Sequence, residues 1–463
     1  MATPLGAIPA TGASWSGHFT CQERSSRIPY SRYTAPRVDI NDGAAYAVEP
    51  PDVLLGDEGG VHGSDRHRCS RPARVMQLLR PTWFEIDVDA AVKNLQTVRR
   101  LVGPQRRIFA IVKADAYGFG SLELGRAFAE HGADALGVAD LADGIRLRRD
   151  GLRLPILVYP NALPVAAAEV ISADLTPVLT EFGAARAYDD AVGASLHAPP
   201  LDVFVKVDVG LERLGVPAAH AVKLVLAIRT LPRLRLAGLC THLHVPNNAD
   251  PAYVEWQFAR FTAVLDEVAG EGVDVPIRLA ASTLPILGFP ATYLNAVDPG
   301  RMLYGYRRED IKTPLPLRPV FRAVKSRLIE VKELTPRECF ASVAPFPIAG
   351  SLRLGVIPMG IGDGFNRLNA GCVLVRGRRV PILARPSLEH TRIDLTTVPD
   401  ATLGDEVVLI GRQGAAEITL DEVADRQAVD PQILALGVGP RVARVYLGVD
   451  RASLRGAVAS PGS

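Results

Sequence analysis

Lys113 ends a short apolar run, Arg107 to Val112, and leads into Ala114-Asp-Ala-Tyr-Gly-Phe-Gly120. Its neighbours Ile111, Val112 and Ala114 read as buried, and burial penalises an ammonium more than a neutral amine. A lysine in that setting can lose its proton and attack a carbonyl. Spacing alone leaves the ordinary alternative standing, a solvated surface charge. Arg213, His242 and Ser282 are further side chains of chemical type. Taken singly, His242 reads equally well as a satisfied core histidine and Ser282 as a turn hydroxyl.

The elements that must position these residues follow a clear rhythm. From Arg107 onward, short β-branched runs alternate with amphipathic helical stretches, the pattern of parallel βαβ units. The runs are Arg107 to Val112, Ala133 to Val138, Pro155 to Tyr159, Leu175 to Leu179, Leu201 to Val207, Leu236 to His242, Ile277 to Ala281 and Asn295 to Asp298. One intervening helix is expected from Ser121 as N-cap to Gly132 at its C-terminal end. Eight strands with their helices predict a (β/α)8 TIM barrel, in which catalytic groups come from the C-terminal ends of strands, where Lys113 stands. A doubly wound open sheet is the alternative, although no GxGxxG follows the first strand.

Beyond about residue 318 the pattern changes to short strands between Gly and Pro turns, as in Gly371-Cys-Val-Leu-Val-Arg-Gly377 and Gly404-Asp-Glu-Val-Val-Leu-Ile-Gly411. We therefore expect an α/β protein with a barrel over 79–317, including a leading strand Trp83 to Val88, and a C-terminal β domain over 318–450. The leading strand could belong to the β domain's sheet. A length of 463 residues suits a barrel of about 250 residues plus a second domain. Residues 1–78 are rich in Gly, Pro, Ser, Arg and Asp without periodicity and predict a disordered tail, and 451–463 form a second tail. Met76 directly precedes the patterned segment and is a candidate start of translation; a transit peptide is the rival reading, against which the tail's acidic residues argue.

With 48% hydrophobic and 22% charged residues the chain has a globular composition. A net charge of +2 without a dense basic run argues against nucleic-acid or anionic-membrane partners. The cysteines, Cys21, Cys69, Cys240, Cys339 and Cys372, show no CxxC spacing, so neither a zinc site nor a disulfide framework is indicated. No apolar run approaches the roughly 18 residues of a membrane span, and the expected location is the cytoplasm.

Val112-Lys-Ala-Asp-Ala-Tyr-Gly-Phe-Gly120 closely resembles the pyridoxal 5'-phosphate (PLP) lysine signature of the alanine racemase family, differing mainly in Phe119 where that family usually has histidine. The resemblance runs from residue 82 to about 446. It includes Phe204 to Gly215, Gly238 to His244, Ala281-Ser282, Pro299-Gly300 with Leu303-Tyr304-Gly305, and Gly362-Asp-Gly364. It implies that Lys113 holds PLP as a Schiff base and handles the Cα proton on the D face. It likewise implies that Tyr117, Ser282 and the backbone amides of Gly300 and Arg301 hold the cofactor phosphate. Arg213 would position the substrate carboxylate, Lys206 would be a carbamylated lysine orienting it, and His242 would lie against the pyridine ring. The implied protein is a head-to-tail homodimer that racemises a small amino acid, alanine first.

Four departures from the family pattern bear on the reaction. Ile361, in Pro358-Met-Gly-Ile-Gly-Asp-Gly364, stands where the family has the tyrosine that exchanges a proton on the L face, and isoleucine cannot do so. Asp298 stands where the family sets an arginine against the pyridine nitrogen; a carboxylate there favours ring protonation and a stronger electron sink. Leu388-Glu389 replaces Met-Asp on the substrate-facing strand, and Gly437 replaces a phosphate-binding tyrosine, which together imply a wider and less polar aperture. Tyr304, Tyr306, Glu389 and His390 are candidates for a substitute acid or base. Besides racemisation, the departures allow a decarboxylase, a one-base epimerase, or a PLP-binding protein with little turnover.

Overall fold

All eight β-branched runs become strands of one parallel sheet: β1 Arg107–Ile111, β2 Ala135–Val138, β3 Ile156–Val158, β4 Thr176–Leu179, β5 Leu201–Asp208, β6 Leu234–Cys240, β7 Ile277–Ser282 and β8 Ala296–Asp298. The computed structural model describes residues 79–195, 199–247, 250–306, 315–335, 346, 348 and 350–448. The expected tails, the Met76 start and Cys21, Cys69 and Cys339 lie outside the described residues. The strand order is β4-β3-β2-β1-β8-β7-β6-β5, and β4 pairs with β5 through Val178 with Phe204 and Leu179 with Val205, which closes the sheet. Closure excludes the open-sheet alternative and makes the fold a (β/α)8 barrel.

Side chains alternate between the two faces of a strand, so every second residue must fill the barrel interior. Phe109, Ala135, Leu157, Val178, Phe204, Cys240, Leu279 and Ala296, one from each strand, form a buried inner cluster. Large and small residues share this layer, and Phe109 and Phe204 meet edge to face at 6.0 Å. Two residues further along each strand comes the next inward position. There Gly137 leaves room that Ile111 and Tyr159 take up; a Cβ on Gly137 would lie 2.5 Å from Ile111 Cδ1.

The helix expected from Ser121 differs at both ends. It spans Ser121–Glu130, and Ser121 does not cap it: Gly120 precedes the first turn and makes no side-chain cap bond. The Ser121 amide instead donates to Asp115 Oδ1 at 2.9 Å, and the Ser121 hydroxyl accepts from Arg146. At the other end the residue after the last turn is His131, and Gly132 follows with φ +104°.

The C-terminal strands form a ten-stranded sheet that takes in the leading strand, Thr82–Asp87. That strand pairs antiparallel with Phe321–Arg327 and parallel with Ala443–Leu447. Two helices in this region, Leu420–Gln427 and Pro431–Gly437, were not expected from the turn-rich pattern. Thr419 and Asp430 cap them by accepting the Glu422 and Gln432 amides. No described helix is long and apolar enough to cross a membrane.

The loop after Leu352–Ile357 is held by a buried carboxylate. Asp363 accepts two bonds from Arg80 at 2.6 and 2.7 Å, one from Arg441 at 3.0 Å and one from the Gly360 amide at 2.9 Å. Burial pushes the Asp363 carboxyl pKa up, but the Arg80 and Gly360 bonds and the two guanidinium charges outweigh it and hold it below the usual carboxylate value. Its contribution to stability is therefore present at neutral pH and lost as the pH falls into the acid range. Removing the carboxylate leaves the Gly360 amide without its acceptor and frees two guanidiniums that water reaches. Asp363→Ala is expected to destabilise the protein by about 1–3 kcal/mol, read from the denaturant midpoint, and the difference from wild type should shrink toward acid pH.

Candidate active site

The C-terminal mouth of the barrel opens into a cavity of about 740 Å³. Strand periodicity explains who lines it. Tyr159, Lys206, His242 and Asp298 each stand two residues beyond a member of the inner cluster, Leu157, Phe204, Cys240 and Ala296, and so point the same way one pleat higher. Lys113 stands two beyond Ile111 and lines the same cavity, together with Tyr117, Arg213, Ser282, Gly300 and Arg301.

Lys113 is presented by an unusual turn. Ala114, Asp115, Ala116 and Tyr117 all have φ between 52 and 59°, a left-handed turn that costs roughly 1–2 kcal/mol per residue for L-amino acids. Asp115 anchors it by accepting the Ser121 amide and an Arg146 guanidinium bond, both at 2.9 Å. From the second sheet, Arg444 donates to the Gly118 carbonyl at 3.3 Å. Phe119, where histidine was expected from the resemblance, stacks on Tyr304 at 5.4 Å with the rings 7° apart. The turn delivers Lys113 to the cavity floor and Tyr117 beside Gly300, where any Cβ would collide with the Tyr117 hydroxyl.

Buried charges set the electrostatics. Burial lowers the Lys113 pKa, Asp298 opposes the shift, and Arg213 and Lys206 add to it, so loss of the ammonium proton is made easier. His242 is pushed down to about 3 by burial and by the cations Lys206, Lys113 and Arg213, leaving a neutral imidazole. Asp298 is pushed up to about 6 by burial, against the Tyr159 hydrogen bond and the charges of Lys206 and Lys113. Tyr159 donates to Asp298 Oδ2 at 2.6 Å, whereas Asp298 Oδ1 has no partner among the described residues. Burial raises the pKa of Tyr117 and Tyr159, so both remain hydroxyl donors.

These features fit PLP. Lys113 offers the amine for the aldehyde, and the unsatisfied Asp298 oxygen is an acceptor for a protonated ring nitrogen. The neutral His242 ring can lie against the pyridine, and the Tyr117 and Ser282 hydroxyls can receive a phosphate. The Gly300 amide donates to Thr283 Oγ1 at 3.1 Å, and the absence of a side chain at Gly300 leaves room for the Tyr117 hydroxyl. Arg301 lines the cavity and its guanidinium pairs with Asp430 at 2.7 Å, tying the rim to the helix after Asp430.

Leu388 is not brought to Lys113 within the chain. It is 69% exposed, and its carbonyl accepts the Gly362 amide at 3.0 Å while the Ile361 amide donates to Ser387, so Leu388 and Ile361 form a patch of their own. Nor do the candidate substitute bases line the cavity. Tyr304 is buried and donates to the Ile111 carbonyl at 2.8 Å; Tyr306 is buried; Glu389 pairs with Arg441 at 2.8 Å; and His390 sits exposed in a turn with Ser387. Gly437 does not line it either, and Gln432 of the same helix does. Sequence reasoning passed over Tyr159, Thr283 and His244, all at the cavity. Tyr159 had a signal, since it follows β3 directly at the inward period; Thr283 and His244 had none beyond adjacency to Ser282 and His242.

Two family profiles match the chain, "Alanine racemase, N-terminal domain" over residues 86–308 and "Alanine racemase, C-terminal domain" over residues 321–446. The curated alanine racemase of Methanococcus maripaludis is 32% identical over 371 residues, covering 79% of this chain and 99% of that protein. That of Desulfovibrio desulfuricans is 35% identical over 371 residues, covering 80% and 98%. Among solved structures, alanine racemase from Bacillus anthracis with bound L-Ala-P has a TM-score of 0.73 at 26% identity, covering 81% of this chain and 96% of that one.

The Asp298 pKa near 6 makes opposite predictions for the cofactor-free and cofactor-bound protein. Because its folded value is raised, this group's contribution to apoprotein stability is fully present below the ordinary aspartate range and lost as the pH rises through about 6. Asp298→Asn should therefore raise the apoprotein melting temperature at pH 8 while weakening PLP binding on the order of tenfold or more, through loss of a charged hydrogen bond. Thermal melts and PLP titration of both proteins check this; wild-type affinity, unlike that of the variant, should fall as this carboxylate protonates.

Proposed function

The chain belongs to the alanine racemase family, and from that premise we propose that it is a PLP-dependent amino-acid racemase interconverting L- and D-alanine or a related amino acid. The observation that carries this reading is the convergence of Lys113, Tyr117, Arg213, His242, Ser282 and Asp298 on one cavity. Bound PLP supplies an electron sink that acidifies the substrate Cα–H. The remaining tasks fall to the protein. Lys113 holds the cofactor and moves the Cα proton on the D face, its lowered pKa favouring the proton-accepting amine. Arg213 offers a planar fork to the substrate carboxylate, and the Tyr117 and Ser282 hydroxyls receive the phosphate. Asp298 would hold the ring nitrogen through its unpartnered oxygen, and His242 would shield the ring from water.

The reading includes a head-to-tail homodimer in which Leu388, on its exposed patch with Ile361, faces substrate across the partner's cavity. It also includes a division into a barrel over 79–317 and a β domain over 318–450, in line with the two matched profiles, although the leading strand Thr82–Asp87 pairs within the second sheet. A cytoplasmic location accords with the free thiols Cys240 and Cys372.

Ile361 and Asp298 favour a second reading, a one-sided catalyst such as a decarboxylase or one-base epimerase. Proton NMR of PLP-loaded protein in D2O with L- and D-amino acids separates the two. Cα deuteration with inversion supports racemisation. Deuteration with retention, or a decarboxylated product, supports the second reading. Ile361→Tyr is expected to raise the ratio of inversion to retention. Lys113→Ala should abolish the visible absorption of lysine-linked cofactor, and persistence of that band would overturn the assignment of Lys113.

A further inference from the structure

We infer that Tyr159 is a positioning residue for the cofactor's ring nitrogen: it occupies Asp298 Oδ2 and leaves Oδ1 as the acceptor. The inference rests on the PLP reading of the cavity, yet the contact it turns on lies wholly within this chain. Where the family pattern sets an arginine, this protein must bury a carboxylate, and Asp298 is only 6% exposed. A buried carboxylate needs donors, and its ionisation depends on them. Tyr159 donates to Oδ2 at 2.6 Å, whereas Oδ1 has no partner among the described residues. Lys206, Lys113, Tyr117 and Cys240 also act on Asp298, the two lysines through their charge.

The barrel holds Tyr159 in place by its backbone and by its ring. Its amide donates to the Val138 carbonyl at 2.9 Å, which carries the ladder between β2 and β3 one residue past the end of β3. The side chain therefore falls at the inward period, where Gly137 on β2 makes room for it. A Cβ on Gly137 would stand 3.2 Å from Tyr159 Cε2. Lys206 Nζ lies 5.3 Å from the ring centroid. From that seat the hydroxyl reaches past β2 and β1 to the end of β8. A phenol carries a single O–H, so it takes one carboxylate oxygen and leaves the other for a second donor. Burial pushes the Asp298 carboxyl up to about 6, and the Tyr159 bond is the strongest influence holding it down, ahead of Lys206 and Lys113. Without that bond more of the carboxyl would be protonated near neutrality, and a protonated acid is a poorer acceptor for a ring N–H.

The first test needs no cofactor. In apoprotein labelled with 13C-aspartate, Tyr159→Phe is expected to move the Asp298 titration midpoint up by about one pH unit. Site-specific replacement of Tyr159 by 3-fluorotyrosine, a stronger donor of nearly the same shape, should move it down. A midpoint that neither change moves in folded protein overturns the inference. The second test is PLP affinity across pH, read from the visible absorption of lysine-linked cofactor. Tyr159→Phe should weaken binding about fivefold near pH 6 and little at pH 8, the pattern of a midpoint raised by about one unit. In the Asp298→Asn background the same substitution should change affinity less than about twofold, because the group it acts through is gone. An equal loss in both backgrounds refutes a role through Asp298. Wild type that takes up no PLP would instead sink the cofactor reading, and the ring-nitrogen role with it, while the apoprotein midpoint reports on the Tyr159 contact separately.

Discussion

A closed parallel barrel admits side chains to its interior only at alternate strand positions, and whatever charge it admits there must be balanced there. The upper interior layer holds Lys113, Lys206 and Asp298 close together, with Tyr159 between the acid and one of the bases. Each group's state depends on the others. Burial, with Arg213 and Lys206, lowers the Lys113 pKa while Asp298 resists, and burial raises the Asp298 carboxyl against the pull of Tyr159, Lys206 and Lys113. The balance leaves an amine able to react and one carboxylate oxygen without a partner. Such a floor is poorly satisfied as a protein interior and well suited to a charged heterocycle that offers a proton to that oxygen.

The left-handed turn over Ala114 to Tyr117 is the second feature on which the site depends. Four non-glycine residues in that region are tolerated because Asp115, Arg146 and Ser121 lock the turn from the barrel side and Arg444 reaches it from the second sheet. The turn brings Lys113 and Tyr117 to the same cavity. The β-rich region therefore supports the barrel site as well as carrying the Asp363 network and the patch around Ile361.

That patch makes the chemistry asymmetric. The groups proposed to hold PLP and to move a proton on one face line one chain's cavity, whereas Ile361 and Leu388 do not line it and offer no titratable group. In the proposed dimer the opposite substrate face would meet aliphatic side chains. His244, exposed at the cavity and edge-on to Tyr253 at 6.3 Å, is an ionisable group at the mouth that the motif comparison alone did not single out.

Much was legible in the chain before folding. Short β-branched runs between helical stretches carry strand identity locally, which is why all eight barrel strands and Lys113 at the end of the first could be read directly. Side-chain chemistry is equally local, so the incapacity of Ile361 and the acidity of Asp298 needed no coordinates. Helix ends were less legible, because the Ser121 amide answers to Asp115, a contact set by the turn rather than by helix propensity. Tertiary structure alone decided three things: that Tyr159 meets Asp298 across 139 residues of sequence, that Thr283 takes the Gly300 amide, and that Leu388 stands apart from Lys113. Each depends on strand register around a closed barrel or on the packing of distant segments, and neither is encoded in any local window of residues.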